Sequence, residues 1–253
     1  MFRDALGARL IAPEPHFRWR GGEITRLETF TDAVFAFAVT LLVVSLEVPR
    51  TFAELAATMK GFVAFGVCFG ILTWVWHCHY LFSRRFGLQT AWVIALNSLL
   101  IFVVLFYVYP LKFLFTVFVG ELSGTVPRDV LQGMISQAQV PQLFVVYCSG
   151  YMAVFAILGL LNLHAYRLRV PLGLDEYETL ASRYAVQSQF GYALVGVLVM
   201  AVALLLPASI AGAAGVLFFL NGVIGWVLGA SFRRRSQRVL APRAEHAARD
   251  TRR

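Results

Sequence analysis

The chain alternates long apolar runs with short polar breaks. A first run, Arg26 to Val48, opens on polar residues and is then uncharged from Ala33 to Leu46. At about 1.5 Å rise per residue that run crosses most of a hydrocarbon core, so it predicts a first membrane helix. Pro49 and Arg50 mark its end, because proline cannot continue a helix and a charge belongs at the interface. Further runs predict helices over Leu55 to Phe82, closed by Arg84 and Arg85, and over Gln89 to Tyr109, stopped by Pro110. Lys112 to Pro141 reads as a mixed connection holding an apolar stretch, Phe113 to Val119. A fourth helix is predicted over Gln142 to Ala165 and a charged connection over Asp175 to Arg183. A fifth follows over Val186 to Leu206, ended by Pro207, and a sixth over Ile210 to Phe232. The expectation is an all-α polytopic membrane protein with a polar tail at 1–25, a six-helix domain at 26–232 and a basic tail at 233–253 without apolar periodicity.

Composition agrees. Of 253 residues, 59% are hydrophobic and 14% charged, against about 25% charged in soluble domains, and the mean hydropathy is +0.71. The net charge of +8 does not point to nucleic acid, since the arginines fall in tails and short loops rather than on a basic folded face. Met1 to Gly22 contains no apolar stretch of the secretory kind, so the first hydrophobic run is expected to be retained. Cys68, Cys78 and Cys148 lie in apolar segments with no C-x-x-C spacing and suggest neither disulfides nor zinc.

Ionisable side chains in hydrocarbon are costly, so each needs a partner or a function. Asp32, His77, His79, His164 and the amide of Asn97 are the candidates. Asp32, His77 and Asn97 fall at similar depth and are expected to share a polar cluster. His77 and His79 diverge by about 200° on a helix and do not grip one metal ion without unwinding. Hydrolase and phosphate-loop motifs are absent from the sequence, and no cofactor is expected.

On the first helix, Thr40, Leu41 and Val44 lie within roughly 60° of Phe37, whereas Asp32 points about 140° away from it. Arg26-x-x-x-Phe30-Thr31-Asp32 resembles the R-x-x-x-F-S-D signature of the endosomal and lysosomal potassium channel family, the transmembrane protein 175 family, with Thr31 in place of the usual serine. The following Ala-Phe-Ala-Val-Thr-Leu-Leu is similar to that family's A-I-A-I-T-L-L, with Phe37 in place of isoleucine or leucine. Trp74-x-x-His77 resembles its W-x-x-H on the second helix, with His79 as the other candidate for that histidine, and Asn97 with Pro110 its N…P pattern on the third. The resemblance implies a homotetramer whose first helices line a central pore conducting K⁺, with other monovalent cations or protons as further candidates. It implies no T-V-G-Y-G filter, and this chain has none. It assigns Phe37, Thr40, Leu41 and Val44 to the pore, and Arg26, Phe30, Thr31, Asp32, Trp74, His77 and Asn97 to packing and assembly. A cation- or proton-coupled transporter would want acids near the midplane and broken helices. A non-conducting scaffold would be separated by a flux assay.

Lys and Arg fall unevenly on alternate sides of the predicted spans: 18 of the 22 share one side with both tails. Both termini are therefore expected in the cytoplasm of a cell-membrane protein. A reporter fused after Arg253 should be active inside the cell; activity only outside overturns this topology.

Overall fold

The computed structural model describes residues 16–44, 50–52, 55–56, 59, 61–124 and 128–250. Seven α-helices are described: α1 (Arg26–Val44), α2 (Phe62–Phe86), α3 (Ala91–Ser123), α4 (Arg128–Met134), α5 (Val140–Arg167), α6 (Glu176–Leu205) and α7 (Leu220–Asp250). Two 3₁₀ segments, Gln137–Gln139 and Ala211–Phe219, lead into α5 and α7. Among the described residues there is no strand. Five stretches are long and apolar enough to cross a membrane: α2, Ala91–Glu121 within α3, Gln137–Arg167, α6 and Ala211–Ala241. The helix α1, which the pattern predicts as the first of six spans, is not in that set.

Several boundaries differ from the pattern's. The expected first helix runs to Val48, but 45–49 lie outside the described residues, as do parts of 53–60 at the start of the expected second helix. α2 continues past Phe82 and takes in Arg84 and Arg85. It stops at Gly87, whose left-handed backbone (φ 59°) closes the helix with its N–H donating to the Ser83 carbonyl. The two arginines sit in the last turn, where the negative end of the helix dipole favours them.

Pro110 does not stop the third helix. α3 runs through it for 33 residues, so the connection expected over Lys112 to Pro141 is helical to Ser123 and again from Arg128. A proline inside a helix removes one N–H, but neighbouring packing makes this tolerable in membrane proteins. Here Val108 and Leu111, on either side, are buried in the core. At about 1.5 Å per residue α3 is about 50 Å long, well beyond a 30 Å hydrocarbon slab.

The charged stretch Asp175 to Arg183 is not a connection but a helix start. Asp175 caps α6 by accepting from the Glu178 N–H at 2.8 Å, and the Glu178 carboxylate accepts in return from the Asp175 N–H at 3.0 Å. This reciprocal pair satisfies donors that a helix N-terminus leaves free. Beyond Pro207 the chain enters a nine-residue 3₁₀ segment instead of the expected α-helix, and α7 then continues to Asp250, through the stretch expected to be irregular. Val239 and Leu240 of that stretch pack against the core.

α5 and α6 form the most extensive helix pair, with α3 and α7 against them and α1 and α2 against α3. Leu100, Leu158, Leu161, Val108 and Val199 are fully buried at these contacts.

The segment before α1, expected as a polar tail, is packed from residue 16 onward. Phe17 is buried beside Phe86, with the Arg85 guanidinium 5.1 Å from its ring centroid. The Arg20 guanidinium donates to both oxygens of Glu178, at 3.1 and 2.6 Å, and to the carbonyls of Leu172 and Gly173. The Arg18 N–H adds a further bond to Glu178 at 2.8 Å. The pair is 12% and 3% exposed at its side chains, so removing one partner strands the other. Glu178→Ala should therefore lower unfolding stability by about 3 kcal/mol, with Glu178→Gln losing less. Chemical unfolding of the detergent-solubilised protein measures both.

Candidate functional site

The helix α1 divides into two faces. Phe35, Ala38 and Leu42 are buried against the rest of the chain. Phe30, Ala33, Ala36, Phe37, Thr40 and Val43 are exposed and recur at the three- and four-residue spacing that makes one helical stripe. Phe37, 56% exposed, stands at the middle of this stripe. Leu41, expected on the same line, is half-buried and packs on the core at the stripe's margin. The side chain of Val44 lies outside the described residues. The Thr40 hydroxyl donates to the Ala36 carbonyl at 2.9 Å, which spends its proton within the helix and turns its oxygen into an acceptor for anything outside.

Polar contacts hold the buried side. Thr31 is fully buried, its hydroxyl donating to the Leu27 carbonyl at 2.8 Å and accepting from the Asn97 amide of α3 at 2.6 Å. Asp32 accepts from the Trp76 indole N–H of α2 at 2.8 Å. Trp76 is stacked with Tyr80 at 5.6 Å, and Tyr80 meets Trp19 of the N-terminal segment edge to face. His79, buried beside the same group, interacts with Asp32 and Asn97. The remaining atoms His79 Nδ1 and Asn97 Oδ1 are buried without a hydrogen-bond partner. Away from this cluster, the Lys112 ammonium of α3 reaches the Leu42 carbonyl at 3.5 Å. Arg26 and Phe30 are exposed at the start of α1.

The structure thus brings Thr31, Asp32 and Asn97 together, but not with Trp74 or His77. Those two point away from α1 and are exposed, while Trp76 and His79 take the inward positions. The signal for this was present in helical phase: Leu72, Val75, His79, Phe82 and Phe86 recur as one buried row, and His79 belongs to it. The expected cluster of Asp32, His77 and Asn97 is corrected accordingly to Asp32, His79 and Asn97.

Among the described residues no group of three or more His, Cys, Asp or Glu side chains is placed to hold a metal ion. What this region offers is an anchored helix with one exposed face, apolar from Phe30 to Val43 except for the Thr40 hydroxyl and preceded by the exposed Thr29 hydroxyl at its start.

Comparison with known proteins places this geometry. Residues 26–107 match the family model described as endosomal/lysosomal potassium channel TMEM175. A protein named potassium channel from Marivirga tractuosa is 34% identical over 238 residues, covering 91% of this chain and 96% of the relative. The crystal structure of the potassium channel MtTMEM175, in a threonine-to-alanine variant complexed with a nanobody fusion, superposes with a TM-score of 0.77. It shares 34% identity and covers 88% of this chain and 100% of its own.

The Asp32 anchor has a direct test. Trp76→Phe keeps an aromatic side chain but removes the indole N–H together with the five-membered ring that carries it, and should cost about 2 kcal/mol or more, the worth of a hydrogen bond to a carboxylate plus the lost packing. Trp74→Phe, on the exposed face, should change stability by less than about 0.5 kcal/mol in the same unfolding measurement.

Proposed function

Because the chain belongs to the family of the endosomal/lysosomal potassium channel TMEM175, we propose that it conducts K⁺ through a pore lined by α1 of several subunits. The family is one of channels rather than enzymes. The observation that carries the reading is the exposed face of α1, apolar from Phe30 to Val43 except for Thr40, on a helix whose hydrogen bonds to α2 and α3 are made from its other side. A stripe on one helix encloses nothing by itself. Four copies around an axis give a ring of Phe37 side chains and, one turn on, a ring of Thr40 hydroxyls, with Leu41 at the ring's margin and Val44 beyond.

In this reading each subunit contributes six membrane helices, α1 joining the five apolar spans, and both termini are cytoplasmic in a cell-membrane protein. The Phe37 ring is the constriction, closed by apolar side chains that exclude water rather than by a carbonyl filter. The Thr40 oxygens replace part of a cation's hydration shell. Arg26, Phe30, Thr31 and Asp32, with Asn97, position the helix for assembly, and membrane lipid surrounds the whole.

Reconstitution into liposomes under opposed K⁺ and Na⁺ gradients tests this. The current should reverse near the K⁺ potential; absence of current in assembled protein overturns the channel reading. Phe37→Ala should raise basal K⁺ flux several-fold, and Thr40→Val should lower discrimination of K⁺ over Na⁺. Unchanged flux in conducting Phe37→Ala channels moves the constriction elsewhere on the stripe. Asp32→Ala should lose assembled oligomer before it alters ion preference.

A further inference from the structure

Where its apolar run ends, α7 carries Arg233, Arg234, Arg235 and Arg238, all exposed. The depth of this cluster follows from the rise per residue. From Ala211 to Phe232 the chain climbs about 38 Å, at about 2.0 Å per residue through the 3₁₀ segment and about 1.5 Å in α7. That clears a hydrocarbon core of about 30 Å, so the arginines stand among the lipid head groups.

What α7 buries sets where they point. Ser236 is buried, and Phe232, Val239 and Leu240 pack on the core, which leaves Arg234, Arg235 and Arg238 within about 100° of one another on the far side. Arg233 is placed differently. Phe232 stacks on Tyr184 of α6 at 5.2 Å, which sets the two helices level. Arg233 Nη1 and Tyr184 Oη then lie beside Gly229, 3.6 and 3.9 Å from where a Cβ on that residue would stand. Two donors that reach one point are close enough for a single phosphate to accept from both. Among the described residues neither side chain spends its donors on another group, and none of the four arginines has a carboxylate at ion-pair distance. The nearby acids are committed elsewhere: Glu178 binds Arg20 and closes the capping pair with Asp175, and the exposed Glu176 pairs with none of the four. Like charges at this spacing repel one another, and a bound anion offsets the repulsion.

The same helix says which anion. Val223, Trp226 and Val227, in the turns before Arg233, are exposed apolar side chains, so an anion held at Arg233 has a hydrocarbon surface directly beside it. A soluble phosphate has nothing to lay there. We propose that this end of α6 and α7 is a binding site for an anionic glycerophospholipid, its phosphate accepting from Arg233 and Tyr184 and its acyl chains running along Val223, Trp226 and Val227. Arg234, Arg235 and Arg238 extend the positive surface to neighbouring head groups.

The test uses the full chain in detergent, titrated with dioleoylphosphatidylglycerol, dioleoylphosphatidylcholine or soluble glycerol phosphate, with bound molecules counted by native mass spectrometry. Phosphatidylglycerol should bind about tenfold tighter than phosphatidylcholine, and glycerol phosphate should not displace it. Arg233→Gln should weaken phosphatidylglycerol binding about fivefold or more. Tyr184→Phe keeps the net charge and the ring stacked on Phe232, and should weaken it about tenfold, the worth of one hydrogen bond to a charged group. Arg167→Gln makes the same change of charge at the exposed end of α5 and should leave affinity within about twofold, which a diffuse basic surface would not do. Equal affinity for the two lipids overturns the assignment. So does unchanged affinity in Tyr184→Phe, or a loss in Arg167→Gln as large as that in Arg233→Gln. Displacement of the lipid by equimolar glycerol phosphate also overturns it, since the site then takes soluble phosphate. Conductance is not the readout, so the outcome is independent of whether the protein is a channel.

Discussion

The hydrogen bonds that Thr31 accepts from Asn97 and Asp32 accepts from Trp76 together decide what α1 can do. In a medium without water a hydroxyl or carboxylate must find its partner within the protein, and the cost of leaving it unpaired is paid nowhere else. Adjacent residues on a helix point about 100° apart, so these two partners, one on α3 and one on α2, fix the rotation of α1 as a pair of splayed struts would. Once the rotation is fixed, the residues on the far side are fixed as well. Phe37 and Thr40 are bare because Thr31 and Asp32 are held.

The height of α1 is set by a second constraint. The chain enters α1 from the packed segment at residues 16–25, where Arg20 is bound by Glu178 and two loop carbonyls. That ties the start of α1 to the start of α6, and through Arg84, 5.2 Å from the Trp19 ring centroid, to the end of α2. Glu178 does two things at once: it completes the capping pair of α6 and neutralises Arg20. A carboxylate with four donors is a rigid joint, and helix α1 is thereby referenced to the α5 and α6 pair that forms the bulk of the fold.

Much of this was legible in the sequence, in particular the helical class, the acid turned off the Phe37 and Thr40 line, and Asn97 as a partner at the same depth. What escaped had physical causes. The W-x-x-H spacing drew attention to Trp74 and His77, but burial follows helical phase, and only Trp76 and His79 sit in or beside the buried row. Pro110 reads as a stop because it lacks an N–H, yet the packing of Val108 and Leu111 outweighs one lost bond. Asp175-Glu-Tyr-Glu178 carried a capping signature that its charge disguised as a loop. Arginine-rich residues after Phe232 lack apolar periodicity, and helix propensity together with continuity from a membrane span carries them on as helix.

The contrast between Leu41 and Phe37 bears on where the proposed pore would close. Spacing alone puts both on one stripe, but Leu41 packs on its own subunit's core, whereas Phe37 is 56% exposed. A side chain already packed on its own subunit gains little by moving, so Leu41 is suited to a fixed wall. An aromatic side chain without such contacts reorients at low cost, and an apolar constriction opens when its side chains swing aside and water enters. Thr40 lies one turn further, its proton committed to the Ala36 carbonyl, so its oxygen presents lone pairs outward whichever way the ring before it turns. Within one subunit, then, the movable apolar group and the fixed oxygen are adjacent but separate, and an ion that passes the first meets the second.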